Sequence, residues 1–300
     1  MAEENQKKIE VKEEKKEEKS LGIPKKPWYD KYYKIFFVIS ITLLIISLVY
    51  IGIFYAKTGN LLNKDVTLTG GTSITAYVEV DISEIEDALS ELQTGKTIGF
   101  TLETPADVDD IKPKLEEFLG FELNEENSSI EFTGSALSES FFIELIYALI
   151  GAFILMAIVV FITFRSIIPS VAVLLAALTD MVVPLAILNL IGFQISTAGI
   201  AAFLMLIGYS VDTDIMLTNR VLRKREMRLN DRFKLALKTG LTMSIAAIGA
   251  ILAAYLITMN FSALLAEVFL ILFLGLSVDL ISTWFGNAAI LKWYAEKKRI

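Results

Sequence analysis

Cysteine and histidine are both missing from this chain of 300 residues. Without cysteine there are no disulfides, thiol nucleophiles or thiolate metal sites. Without histidine, proton chemistry near neutral pH falls to carboxylates, because imidazole is the side chain that ordinarily titrates there. Charge is scarce as well. Asp, Glu, Lys and Arg make up 21% of the chain against about 25% in soluble domains. Apolar residues reach 54% and mean hydropathy is +0.56. One aqueous core cannot hide so much apolar surface, so part of this chain's solvent must be lipid.

The apolar residues are gathered into six runs, at 35–56, 141–164, 167–191, 195–218, 241–259 and 261–294. Each has about 20 or more mostly apolar residues, enough to cross about 30 Å of hydrocarbon. The expected fold class is an α-helical polytopic membrane protein with six transmembrane helices. Between helices 1 and 2 it should carry a small extracellular α+β domain of ferredoxin-like (split βαβ) kind. The first run starts too late and is too long for a cleavable signal, and no small-residue cleavage site follows it. Trp293 and Tyr294 suit an aromatic anchor at the end of the last run.

Basic residues give the orientation. Segment 219–240 carries eight Lys or Arg against Glu226 and Asp231, Lys34 precedes run 1, and Arg165 separates runs 2 and 3. Lys292, Lys297, Lys298 and Arg299 close the chain. Six alternating spans put all four places on one side, and the positive-inside rule makes that side the cytoplasm. Both termini are expected there, with residues 57–140 outside and 295–300 as a short cytoplasmic end. The tail 1–34 alternates Glu and Lys blocks with few apolar residues, the composition of a disordered, solvated segment.

Segment 57–140 holds 18 acidic residues against 5 basic. Strands are expected at 73–80, 97–102 and 130–133, and helices at 82–92 and 107–119. Thr104 or Asp107 could cap the second helix, which Pro113 should kink or shorten. No catalytic or metal-ligating cluster occurs in it. Gly70 and Gly71 before the first strand, and Gly134 on the return to span 2, are candidate hinges.

The candidate functional residues are acids inside the spans: Asp180 in span 3, Asp212 and Asp214 in span 4, and Asp279 in span 6. An aspartate at a helix centre costs about 2.5–3.5 kcal/mol on insertion scales. No intramembrane Lys or Arg is available to neutralise the four. Their relief must come from one another, from hydroxyls such as Ser210, Ser282 and Thr283, from Asn189 and Asn287, or from water. Clustered carboxyl groups without a cation cannot all ionise together, so they suit an ion or proton relay. The bland alternative is a set of protonated hydrogen-bonders joining helices. Glu144 and Glu267, near the outer ends of spans 2 and 6, read as interfacial. Gly192, Gly199 and Gly208 mark close helix packing, and Pro184 should kink span 3 just past Asp180.

One span, a large external segment and five more spans resemble half of an RND-type permease. Gly208-Tyr-Ser-Val-Asp212, followed by Thr213-Asp214 and then Asn219-Arg220, resembles the fourth-span motif of the SecF family. Thr69-Gly-Gly-Thr72 is similar to the glycine element opening that family's external domain, and Asp180 falls at its third-span aspartate. The resemblance covers about residues 35–295. The bacterial pattern reads Gly-Tyr-Ser-x-Asn-Asp, whereas here Asp212 and Thr213 stand at those places and Asp214 follows. That arrangement looks more like the archaeal form and leaves open which acid carries the relay.

The resemblance implies a membrane subunit that works with SecD, a six-helix partner, to assist Sec-dependent export across the cytoplasmic membrane on a proton or sodium gradient. The other partners it implies are a SecYE-type channel, the unfolded secretory polypeptide and membrane lipid. It implies no cofactor, no metal, no nucleic acid and no enzymatic activity. An RND-like exporter of small molecules or lipids, or a purely structural assembly subunit, is the alternative. An intramembrane aspartyl protease fits poorly, because Leu-Thr-Asp180 and Ser-Val-Asp212 replace the Tyr-Asp and Gly-x-Gly-Asp of such enzymes.

Overall fold

The computed structural model describes residues 28–76, 101–104, 106–124, 127–133, 135–223, 229–259 and 262–298. Six helices are long and apolar enough to cross a membrane. Span 1 is Trp28–Thr58, span 2 Ser135–Phe164, span 3 Ile167–Leu190, span 4 Thr197–Arg223 and span 5 Leu229–Thr258. Span 6 is composite: Ala263–Ile281, a π-helical turn Ser282–Asn287, and Ala288–Lys298. Two helices reach beyond their apolar runs. Span 5 starts at Leu229, inside the expected basic loop, because Arg232, Phe233, Ala236 and Gly240 bury one face while Asp231, Lys234 and Leu235 stay outward. Arg232 donates from Nη1 to the carbonyl of Val221 at 3.0 Å, so a charged residue helps dock the start of that helix. Span 1 begins within the expected tail. There Tyr33 donates to Glu296 at 3.3 Å, and the Lys292 ammonium lies 5.4 Å from its ring, which holds the span against the end of span 6.

Spans 3, 4 and 6 pack together, with span 5 against 4 and 6, span 2 against 3 and 4, and span 1 against span 3 and the π-helical turn. Small residues allow the close approaches. A Cβ on Gly275 would lie 2.3 Å from Leu206, and one on Gly199 would lie 2.1 Å from Glu267 Oε1. Span 3 runs unbroken through the buried Pro184, which lacks the N–H that would otherwise bond the backbone carbonyl of Asp180.

Outside the spans, strands β1 (Gly71–Ala76), β2 (Thr101–Thr104) and β3 (Ser128–Thr133) form one antiparallel sheet in the order β2-β1-β3. Ile74 pairs with Leu102 on one side and Ile130 on the other. One face packs on the amphipathic helix Val108–Leu119 through Ile111 and Leu115. Asp107 caps that helix, accepting from the Asp109 N–H at 3.3 Å, and the helix continues through Pro113 without shortening. The expected helix at 82–92 and Gly134 lie outside the described residues.

The root of this sheet-and-helix unit is stitched to the turn between spans 3 and 4. Asn189 at the end of span 3 donates to the Leu61 carbonyl at 2.9 Å and accepts from the Asn63 N–H at 3.2 Å. Ile195 donates to the Asn63 carbonyl at 2.8 Å and accepts from the Asp65 N–H at 3.1 Å. The Thr67 hydroxyl accepts from the Thr197 N–H at 3.1 Å, at the first residue of span 4. Asp65 caps a one-turn helix, Val66–Thr69, that ends at Gly70. Gly70 (φ 87°) and Gly71 (φ 139°) then turn the chain into β1 through backbone conformations that side chains disfavour.

Candidate functional site

Three of the four expected acids converge. Asp180, Asp214 and Asp279 are all fully buried where spans 3, 4 and 6 meet. Asp180 accepts from the Ser210 hydroxyl of span 4 at 2.5 Å and from Ser282 in the π-helical turn. Ser210 and Asp214 are one helical turn apart, so a single face of span 4 meets both neighbouring helices. Asp214 Oδ1 accepts from Asn287 Nδ2 at 2.7 Å and lies 2.9 Å from the Thr283 hydroxyl. The same hydroxyl lies 3.1 Å from Asp279 Oδ1. Asp214 Oδ2, Asp279 Oδ2, Asn287 Oδ1 and Thr218 Oγ1 are buried with no hydrogen-bond partner among the described residues.

The π-helical turn makes this possible. Its wider winding turns Ser282, Thr283 and Asn287 toward the acids of spans 3 and 4, and such turns recur at functional sites. Spans 5 and 1 grip it from outside. A Cβ on Gly240 would lie 2.3 Å from Trp284, and one on Gly286 would lie 2.6 Å from the Ser40 hydroxyl. Phe285 stacks on Phe36 with ring centroids 4.7 Å apart.

Three carboxyl groups in one apolar interior, with no Lys or Arg paired to them among the described residues, repel strongly when ionised. Three such groups cannot all ionise together cheaply, so the charge of the site is tied to how spans 3, 4 and 6 pack. No group of described acids has the geometry of a metal-ion site.

Asp212 stands apart. Two residues from Asp214 is about 200° round an α-helix, and Asp212 is exposed on the same outward face of span 4 as Met205, Gly208 and Tyr209. Gly208 accordingly has open space where a Cβ would go, while Gly199 makes the close contact expected of it and Gly192 (φ 71°) forms the turn after span 3. Glu267 is buried: it accepts from the Ser196 N–H at 2.8 Å at the start of span 4. The sequence reading of Glu267 as interfacial missed this role, because its partner is a backbone N–H of another span. The packing roles of Gly240, Gly275 and Gly286 were no more legible, since each depends on which neighbour faces it.

Comparison with known proteins gives one answer. The family of the SecD/SecF protein export membrane protein, C-terminal part, matches residues 114–297. A protein-export membrane protein SecF of Methanocaldococcus jannaschii is 38% identical over 282 residues, which covers 90% of this chain and 98% of that one. The SecF of Methanothermobacter thermautotrophicus is 39% identical over 250 residues, covering 79% and 86%. The crystal structure of SecDF, a translocon-associated membrane protein of Thermus thermophilus, superposes with a TM-score of 0.72 at 20% identity and covers 91% of this chain. The chain spans only 39% of that SecDF chain. With its fold, its fourth-span motif and these relatives in agreement, the chain belongs to the SecF family of multi-pass protein-export membrane proteins.

Proposed function

We propose that this chain is the SecF half of a two-part export machine, driven by protons or sodium ions that enter and leave the buried acids. The observation that carries the reading is the convergence of Asp180, Asp214 and Asp279 in one buried place without a counter-cation. One charge crossing 100 mV releases about 2.3 kcal/mol, so a few charges per cycle suffice to bias a two-state element. Gain or loss of a cation changes the repulsion between spans 3, 4 and 6. Two structural links lead outward from there: span 1, which packs on the π-helical turn, and the stitched turn between spans 3 and 4. Both end at the Gly70–Gly71 joint of the external unit, whose sheet and packed helix support the ferredoxin-like reading of segment 57–140.

The partner is a SecD-type six-helix subunit. An aspartate inside a membrane does not face lipid when a protein surface is available, and Asp212 with Gly208 and Met205 offers such a surface. In this reading both termini are cytoplasmic, segment 57–140 is external, and the assembly receives an unfolded secretory polypeptide from a SecYE-type channel. The test is export into sealed vesicles that contain the SecD partner, with proton and sodium gradients imposed independently. Asp214→Asn should leave SecD association intact and remove the gradient-dependent part of export; undiminished gradient dependence in this variant, under both ions, would end the proposal.

A further inference from the structure

A hydroxyl has one hydrogen to give, yet the Thr283 hydroxyl lies within hydrogen-bond distance of two carboxyl groups, Asp214 Oδ1 at 2.9 Å and Asp279 Oδ1 at 3.1 Å. It can donate to only one. The other carboxyl group reaches it by donating a proton of its own to the hydroxyl oxygen. Asp180 has other hydroxyls at its two oxygens, Ser210 and Ser282. A second observation points the same way. Asp214 Oδ2 and Asp279 Oδ2 are buried without any donor among the described residues, as is Asn287 Oδ1 beside them. Two bare anionic oxygens in one apolar interior are costly, and a proton held between their carboxyl groups removes one of the two charges.

We propose that Thr283 is the relay hydroxyl of this site, passing a proton between Asp279 and Asp214. The step balances with no other reactant. The Asp279 carboxyl O–H breaks and its proton bonds to Thr283 Oγ1. The threonine's own hydrogen moves to Asp214 Oδ1, and the reverse motion returns it. Asp279 and Thr283 lie one turn apart on span 6 while Asp214 is on span 4, so each transfer moves charge from one helix to the other. The π-helical turn holds Thr283 at the crossing. This inference rests on the relay reading above and chooses the proton over sodium as the carried ion.

The test uses the chain reconstituted with its SecD partner in sealed vesicles, with gradient-driven proton uptake followed by an entrapped pH dye. Thr283→Val keeps the shape and removes the hydroxyl, and should lower proton uptake at least about tenfold. Thr283→Ser should restore most of it, which a purely packing role would not do. Uptake unchanged in Thr283→Val, while Asp214→Asn abolishes it, would overturn the relay hydroxyl and leave the export reading standing. Uptake unchanged in both would overturn the reading itself. If valine at 283 prevents assembly, infrared difference spectra decide. A proton shared through Thr283 gives a carboxyl C=O band that is altered by Asp214→Asn and Asp279→Asn alike. A band that responds to only one of them would defeat the proposal.

Discussion

Spans 3 and 5 are both strongly apolar, yet 56% of the most apolar stretch of span 3 is buried in the protein and only 11% of that of span 5. In water such a pair could not coexist, because apolar content drives burial. In lipid the hydrocarbon is as good a neighbour as leucine, so burial follows what lipid cannot accept or what close packing needs. Span 3 has Asp180, Thr179, Asn189 and paired alanines turned inward. Span 5 turns Met243, Ile245, Leu252 and Leu256 outward and buries only a narrow face, with Phe233, Ala236, Gly240 and Ser244 on it. Inside and outside are told apart here by polar and small residues.

The largest expected effect breaks the buried side of this comparison at its polar centre. Asp214→Asn keeps the shape and its hydrogen bond to Thr283 but removes the ionisable group, and gradient-dependent export should fall by about 100-fold or more. A polar residue introduced on the outward face of span 5, such as Ile245→Ser, should leave gradient dependence intact. Vesicle export with and without an imposed gradient separates the two. Comparable losses from both would mean that the buried acids have no special standing.

Next in size comes packing. Gly275→Val would drive its side chain into Leu206, and Gly240→Val would drive into Trp284, a residue of the π-helical turn. Each should cost about 1–3 kcal/mol, as overpacking generally does. Gly249 in span 5 and Gly151 in span 2 have open space where a Cβ would go, and valine there should be tolerated. Thermal unfolding of the purified chain in lipid nanodiscs would read the contrast directly. Equal destabilisation at all four positions would show that backbone propensity, not helix contact, governs these glycines.

How legible this was in the sequence depends on the kind of signal. Six spans are plain from run length, and the candidate relay acids are plain because each is a carboxyl group inside a long apolar run. Their separation into Asp214 within and Asp212 without follows from helix geometry but needs to know which face of span 4 is covered. The π-helical turn was not legible in Ser282–Asn287, since glycine and weak helix formers are common in membrane helices and specify no particular winding. The stitched turn between spans 3 and 4 was missed for a different reason. Asn189 reads as one more polar residue in a span, and its partners are backbone atoms of Leu61 and Asn63, more than a hundred positions away. Backbone partners leave no sequence pattern to find.

A smaller effect is expected at that stitched turn. Asn189→Leu removes two hydrogen bonds between span 3 and the root of the sheet-and-helix unit, each worth about 1 kcal/mol. The Ile195 backbone pairing and the Thr67–Thr197 bond remain, so the fold should survive. Gradient-dependent export should fall a few-fold while proton uptake continues, since the acids are untouched. Uptake and export falling together would show that Asn189 serves the spans alone and carries nothing outward.

The smallest expected effect tests the comparison at its base. Leu206 is fully buried against Gly275 and Ile271, whereas Leu155 in span 2 is 65% exposed. In a soluble protein both losses would be weighed against water. Here Leu206→Ala leaves a cavity that lipid cannot reach, and should cost about 2–5 kcal/mol. Leu155→Ala leaves a groove that a lipid chain fills, with no transfer from water on either side of the balance, and should change stability by less than about 0.5 kcal/mol. Unfolding of both variants in the same nanodiscs gives the difference. If Leu155→Ala proves as costly as Leu206→Ala, the outward face of span 2 is covered by protein rather than by lipid, and the division between buried and lipid-facing spans must be redrawn with a partner lying against span 2.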